Sequence, residues 1–191
     1  MFTRRPSGMT LIELMVAITI IGLLIVLGAP GYSTWITNTR IRNAAESIQN
    51  ALRLARDQAV QRGTSARFEL TSASGGADWT VCIPAVATPT TCASPLETVQ
   101  QFNSAGGANL VKVGSSTNLT YATDVSGTVS AGTGITFNAL GRPTGTTPVV
   151  RIDASTSQSG SRRLITVISP GGSVRMCDPA LSQSTSPQGC S

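Results

Sequence analysis

Twenty-one consecutive residues, Met9 to Ala29, carry one charged side chain, Glu13. At about 1.5 Å per helical residue such a run reaches about 30 Å, the thickness of a bilayer's hydrocarbon core. A chain that opens this way folds as an anchored helix followed by whatever the remaining residues can build. The carboxylate is the informative part, because an isolated acid in an apolar span is costly and marks a function. Arg4 and Arg5 precede the run, with Gly8 immediately before it. The positive-inside rule keeps those arginines on the cytoplasmic side and directs the remainder across.

Two ordinary readings compete. A cleavable secretory signal is cut after its apolar stretch, and Leu27-Gly28-Ala29 has the small residues for such a cut. A simple signal anchor accounts for the arginines and the run. It leaves Glu13 unexplained, and also the helical pattern that continues beyond residue 30.

The stretch Arg4-Arg5-Pro6-Ser7-Gly8-Met9-Thr10-Leu11-Ile12-Glu13-Leu14 resembles the class III signal of type IV prepilins and type II secretion pseudopilins. The resemblance spans roughly residues 4–62, with Met9 where the family usually has Phe. It implies that a prepilin peptidase cuts between Gly8 and Met9, methylates the new amine and leaves the apolar stretch in place. It also implies that Glu13 pairs with the methylated N-terminus of a neighbouring subunit, and that Pro30 is the family's helix-breaking proline. The implied partners are inner-membrane lipid, the peptidase and other pilin or pseudopilin subunits. The implied location is the inner membrane, single-pass with a periplasmic C-terminal domain, then a pilus or pseudopilus.

Composition narrows the function further. The formal charge of +5 falls to +3 if Arg4 and Arg5 leave with a leader, and the positive residues form no runs. Net charge therefore says little about nucleic acid. There is no His, and the four Cys lack zinc-type spacing, which excludes a His-containing metal site or triad. No Gly-x-Ser-x-Gly elbow or phosphate-cradling loop occurs, and Asp124, Asp153 and Asp178 lie far apart. The chain reads as a non-enzyme without a cofactor.

Beyond residue 63, Ser, Thr and Gly are abundant and Lys112 is the only lysine, which suits an extracytoplasmic β-rich domain. Four cysteines allow three connectivities, and sequence alone leaves them open. The nearest-neighbour pairs, Cys82–Cys92 and Cys177–Cys190, are preferred because they demand no long-range geometry. Disulfides persist in the compartment an N-terminal export signal implies, and each such loop contributes about 3 kcal/mol if unstrained.

The expected organisation is a leader (1–8), a membrane and assembly helix (9–29), an amphipathic helix (30–62) and a β-rich globular domain (63–191). Pro30, with Gly28 and Gly31, is expected to interrupt the helix near residues 28–31. Beyond it, Ile41, Ala45, Ile48, Leu52, Ala55 and Ala59 recur at spacings of four and three, an apolar stripe suited to packing on a sheet. Gly63 supplies a stop. Tyr32 and Trp35 follow the apolar run, where amphipathic rings favour the water boundary.

After Thr64 the period shifts toward two. Strands are expected at Ser65–Leu70, Trp79–Ile83, Glu97–Phe102, Asn109–Val113, Leu119–Ala122, Gly134–Asn138, Val149–Ile152, Arg163–Ser169 and Ser173–Cys177. The Pro170-Gly171-Gly172 turn joins the last two as a hairpin. The fold class is α+β, a long helix packed on a mainly antiparallel sheet domain.

A second resemblance rests on Phe137-Asn138-Ala139-Leu140-Gly141-Arg142-Pro143, on Val174-Arg175-Met176-Cys177 and on Leu54-Ala55-Arg56-Asp57-Gln58-Ala59-Val60. These are similar to the GspH/FimT minor pilins and pseudopilins, which implies a minor component that primes or caps a filament. Some FimT-type members bind DNA through a Gly-Arg-x-Arg motif, and here the matching place reads Gly172-Ser173-Val174-Arg175. Arg175, with Arg162 and Arg163, is the candidate DNA or anion contact, and Arg142 is a weaker one. One arginine is a small share of a phosphate footprint and aromatics total eight, so nucleic acid is not favoured.

Overall fold

The computed structural model describes residues 8–72, 75–85, 91–104, 110–129, 132–145 and 147–190, with the side chains of 27–30 outside that set. One helix, α1, runs Leu11–Arg62. Its C-terminus closes where Gly63 turns left-handed at φ 61°, and the Thr64 and Gly63 amides donate to the Ala59 and Val60 carbonyls. That paired closure satisfies carbonyls the helix would otherwise leave open.

The chain divides into two compact units, Met1–Ile36 and Thr37–Ser191. In the first, the helix starts at Leu11 and its large apolar side chains from Leu11 to Val26 are exposed. No single helix among the described residues is long and apolar enough to cross a membrane. The segments Leu11–Val26 and Gly31–Arg62 meet that requirement by length and composition only when joined across the break between them. The expected interruption at Pro30 falls among the side chains outside the described residues.

In the second unit, the helical stripe of Ile41, Ala45, Ile48, Leu52, Ala55 and Ala59 is fully buried, with Ala51 added. Among the described residues nine strands form two antiparallel sheets. The first contains β1 (Ala66–Leu70), β2 (Trp79–Pro84), β3 (Pro95–Phe102), β5 (Gly134–Phe137) and β6 (Pro143–Thr144), ordered β3-β2-β1-β5-β6. The second contains β4 (Lys112–Ser116), β7 (Arg151–Ser155), β8 (Leu164–Ile168) and β9 (Val174–Cys177), ordered β4-β7-β8-β9.

Strand alternation sends Phe68, Leu70, Val81, Ile135 and Phe137 of one sheet, and Val113, Ile152, Ala154 and Ile168 of the other, into one core with the helix. Trp79 joins it and donates from Nε1 to Ser47 Oγ at 2.9 Å, which satisfies its single polar atom. The alternate residues point to the outer faces. On the second sheet Ile165 and Cys177 pack there with Cys190, Tyr121 and Val167.

Three sequence expectations need correction. The strand expected at Asn109–Val113 is instead Lys112–Ser116, paired along β7 with Gly114 opposite Asp153; residue 109 lies outside the described residues. Leu119–Ala122 forms no strand, because its backbone serves side-chain donors rather than a ladder. The strand expected at Val149–Ile152 begins and ends later, at Arg151–Ser155. Short β6 went unread in the sequence. The remaining strands lie within about two residues of expectation, and the β8–β9 hairpin is present with Ile168 opposite Val174.

Candidate assembly segment and domain surfaces

At the helix start Gly8 and Met9 are exposed, and a Cβ added to Gly8 would meet nothing within 4 Å. Thr10 is the N-cap: its Oγ1 accepts from the Glu13 amide at 3.3 Å, and Glu13 Oε2 accepts from the Thr10 amide at 3.5 Å. This reciprocal pair is a capping box, and it places a negative charge at the positive end of the helix dipole. The Thr-x-x-Glu spacing that announces it is visible in the sequence at residues 10–13 and went unused.

The three candidate arginines differ in their bonds, although Arg162 and Arg163 line one groove. Arg163 donates from Nη1 to Asp153 Oδ2 at 3.4 Å and from Nη2 to the Tyr121 carbonyl. Arg175 donates to the Gly189 carbonyl at 3.2 Å, tying β9 to the C-terminal tail. Arg162 keeps a side chain 66% exposed, with Nε 3.9 Å from Asp178 Oδ2. It edges a groove of about 800 Å³ also lined by Tyr121, Ser161 and Pro179. The structure thus leaves Arg162 outermost and commits the other two to structural bonds. Arg142 is exposed, its amide held by Asn138 Oδ1 at 3.0 Å.

Sequence reasoning missed what lies beneath the outer faces. Arg151 and Asp153, two apart on β7, share the outer side and are 1% and 0% exposed as side chains. Nε and Oδ1 approach to 3.1 Å without hydrogen-bond alignment, while Nη2 donates to Asp153 Oδ2 at 3.2 Å and to the Thr123 carbonyl at 2.6 Å. Burial pushes the Asp153 carboxyl up, against the pull of Arg151. Asp124 is also opposed by burial, yet hydrogen bonds from Ser126 and Ser155 hold it below the usual carboxylate range.

The first sheet repeats the device. Arg67 and Glu69 pair at 2.8 Å; Arg67 holds the Gly132 carbonyl, and Glu69 accepts from the Cys92 amide at 2.8 Å. In both sheets an Arg-x-acid step on one strand captures a covering loop, and this i, i+2 pattern is the signal that could have found it. Each sheet also carries a disulfide. Cys82 lies opposite Arg67 and bonds Cys92, and Cys177 lies opposite Ile165 and bonds Cys190.

Two turns meet at the end of the domain helix. Asn138–Arg142 and Ser169–Ser173 are three-residue hairpin loops of the same kind, with Gly141 at φ 71° and Gly172 at φ 81° in the left-handed position. A Cβ on Gly172 would lie 1.9 Å from the Gly141 carbonyl oxygen, and one on Gly141 would lie 3.0 Å from Arg56 Nε. The motifs around Gly141 and Gly172 are thus two turns packed backbone to backbone over Arg56.

A long helix whose first part is apolar and exposed, and whose second part is the core of an antiparallel two-sheet domain, defines a pilin-like subunit. The family described as Type II transport protein GspH matches residues 44–172, and the Prokaryotic N-terminal methylation motif matches residues 3–29. The chain belongs to the GspH family and is a minor pilin or pseudopilin of the type IV pilus and type II secretion group. That family is one of structural subunits rather than enzymes.

Two crystal structures of the Pseudomonas aeruginosa (strain PAO1) type IV minor pilin FimU resemble it. One is 17% identical with TM-score 0.48, covering 80% of this chain and 96% of that one. The other is 18% identical with TM-score 0.43, covering 78% and 99%. No curated protein sequence matches the chain.

Proposed function

We propose that the chain is a non-enzymatic filament subunit, cut between Gly8 and Met9 and methylated on Met9, that helps prime or cap a type IV pilus or a type II secretion pseudopilus. Residues 9–29 serve as the inner-membrane and assembly helix, 30–62 as the helix packed on the sheets, and 63–191 as the periplasmic domain. The observation that carries this reading is the joining of a methylation motif at residues 3–29 to a GspH-type domain at 44–172. The exposure of Gly8 and Met9 supports it.

In the filament the apolar helix exchanges lipid for neighbouring helices, two solvents of similar character. Glu13 then faces a neighbour's methylated amine, and a charge pair in apolar surroundings fixes axial register. Mass spectrometry of the chain expressed with its peptidase tests the cut, and Gly8→Ala is expected to retain the leader. Glu13→Ala is expected to be cut normally yet fail to enter filaments. Normal incorporation of that variant refutes the pairing.

The DNA-uptake reading is weaker, since Arg163 and Arg175 are engaged within the domain and Arg162 alone projects. A salt-dependent gel shift abolished by Arg162→Ala would favour it.

A further inference from the structure

Tyr32 and Trp35 stand one helical turn apart with ring centroids 6.0 Å apart and planes 26° from parallel. Each is 63% exposed, whereas Trp79 and Phe68 in the domain are 3% and 0%. Between Glu13 and Tyr32 no residue is charged, and the large apolar side chains from Leu14 to Val26 are 51–72% exposed. The next charge is Arg40. The stacked rings therefore occupy the point where continuous apolar surface gives way to polar chain.

Distance makes that position meaningful. Helix α1 runs Leu11–Arg62, with a break between Val26 and Gly31. Along it, Tyr32 and Trp35 follow Glu13 by about 28 and 33 Å at the helical rise. The hydrocarbon layer is about 30 Å thick, and Trp and Tyr rings settle at its edges. A helix with rings at one edge brings a carboxylate to the opposite edge.

We infer that the Tyr32–Trp35 pair is a depth anchor, seated in the phospholipid headgroup zone of one leaflet, that holds Glu13 in the headgroup zone of the other. The inference rests on the membrane-anchored reading above and changes one part of it. In the resting subunit Glu13 is hydrated at the boundary and held by its capping box with Thr10, so it needs no protein counter-ion there. The need for one arises only when the helix leaves the bilayer and the carboxylate becomes surrounded by neighbouring helices.

The test is tryptophan quenching in phosphatidylethanolamine–phosphatidylglycerol vesicles whose acyl chains are brominated either near the glycerol or near the chain end. The full chain is used, and Trp35→Phe supplies the background signal of Trp79, which is buried in the domain core. Into that background Leu14→Trp and Ile21→Trp are introduced separately. The expected pattern is stronger quenching by the shallow bromines for Trp35 and Leu14→Trp, and by the deep bromines for Ile21→Trp. If the chain floats with the vesicles but Trp35 is unquenched or quenched best by the deep bromines, the depth anchor is refuted while the membrane reading stands. If the chain does not float with vesicles, both fall.

Discussion

Replacing Gly172 by alanine tests the packing of the two turns most directly. The residue sits at φ 81°, where an L side chain costs about 1–2 kcal/mol. Its new Cβ would also stand 1.9 Å from the Gly141 carbonyl oxygen, an overlap that only backbone movement relieves. Forcing an extra methyl into packed structure costs about 1–3 kcal/mol. The two effects together give about 2–5 kcal/mol, a large part of the roughly 5–15 kcal/mol that holds a domain folded. For a domain of this size the melting temperature should fall by about 5–15 °C.

Circular dichroism of the chain in detergent, heated or titrated with urea, reads the change. Gly171→Ala is the control from the same turn, because its Cβ would meet only Ser169 Oγ, at 3.8 Å, and its φ is ordinary. A Gly172→Ala chain that melts with the Gly171→Ala chain and the wild type would show that the turns do not abut as described.

Other perturbations have equally definite outcomes. Cys177→Ser with Cys190→Ser opens a loop of sequence separation 13, and should cost about 3 kcal/mol in urea denaturation. Asp153→Ala leaves the Arg151 guanidinium buried without its carboxylate, and should cost about 3–5 kcal/mol by the same assay. Replacing Arg151 and Asp153 together by Met and Leu should cost much less than the single change. Asp124 has a folded pKa below its ordinary value, so its stabilisation is complete above the ordinary carboxylate range and is lost as pH falls through the lowered value. The difference in unfolding midpoint between wild type and Asp124→Asn should therefore shrink on acidification; a gap that widens would contradict the sign.

The helix was legible because one apolar stripe at alternating three and four spacing had a single consistent burial, and every residue of it is buried. The β8–β9 hairpin was legible because Pro170 and Gly172 state their own backbone angles. Beta strand β4 was misplaced for a physical reason. Gly114-Ser115-Ser116 has little intrinsic strand character, and its pairing depends on the 125–127 loop lying against Gly114, where any Cβ would strike the Val125 carbonyl at 1.5 Å. Such context is written in no local window.

Leu119–Ala122 looked like a strand because its residues alternate, yet the Tyr121 carbonyl accepts from Arg163, and nearby Thr123 accepts from Arg151. At the candidate site the sequence proposes Gly8, Met9 and Glu13 through motif alone. It could not separate Arg162 from Arg163 and Arg175, since only the folded neighbours decide which guanidinium is already occupied.

The two bridges have a consequence for how the chain is made. Cysteines 82 and 92 are ten positions apart, 177 and 190 thirteen, and the first pair lies wholly upstream of the second. If residues 63–191 cross the membrane in sequence order, as the proposed location requires, the thiols emerge in that order. Joining each newly arrived thiol to the one just before it yields the finished connectivity at once. On that route nothing would need to be undone, so an oxidase without a shuffling partner would suffice to form both bridges.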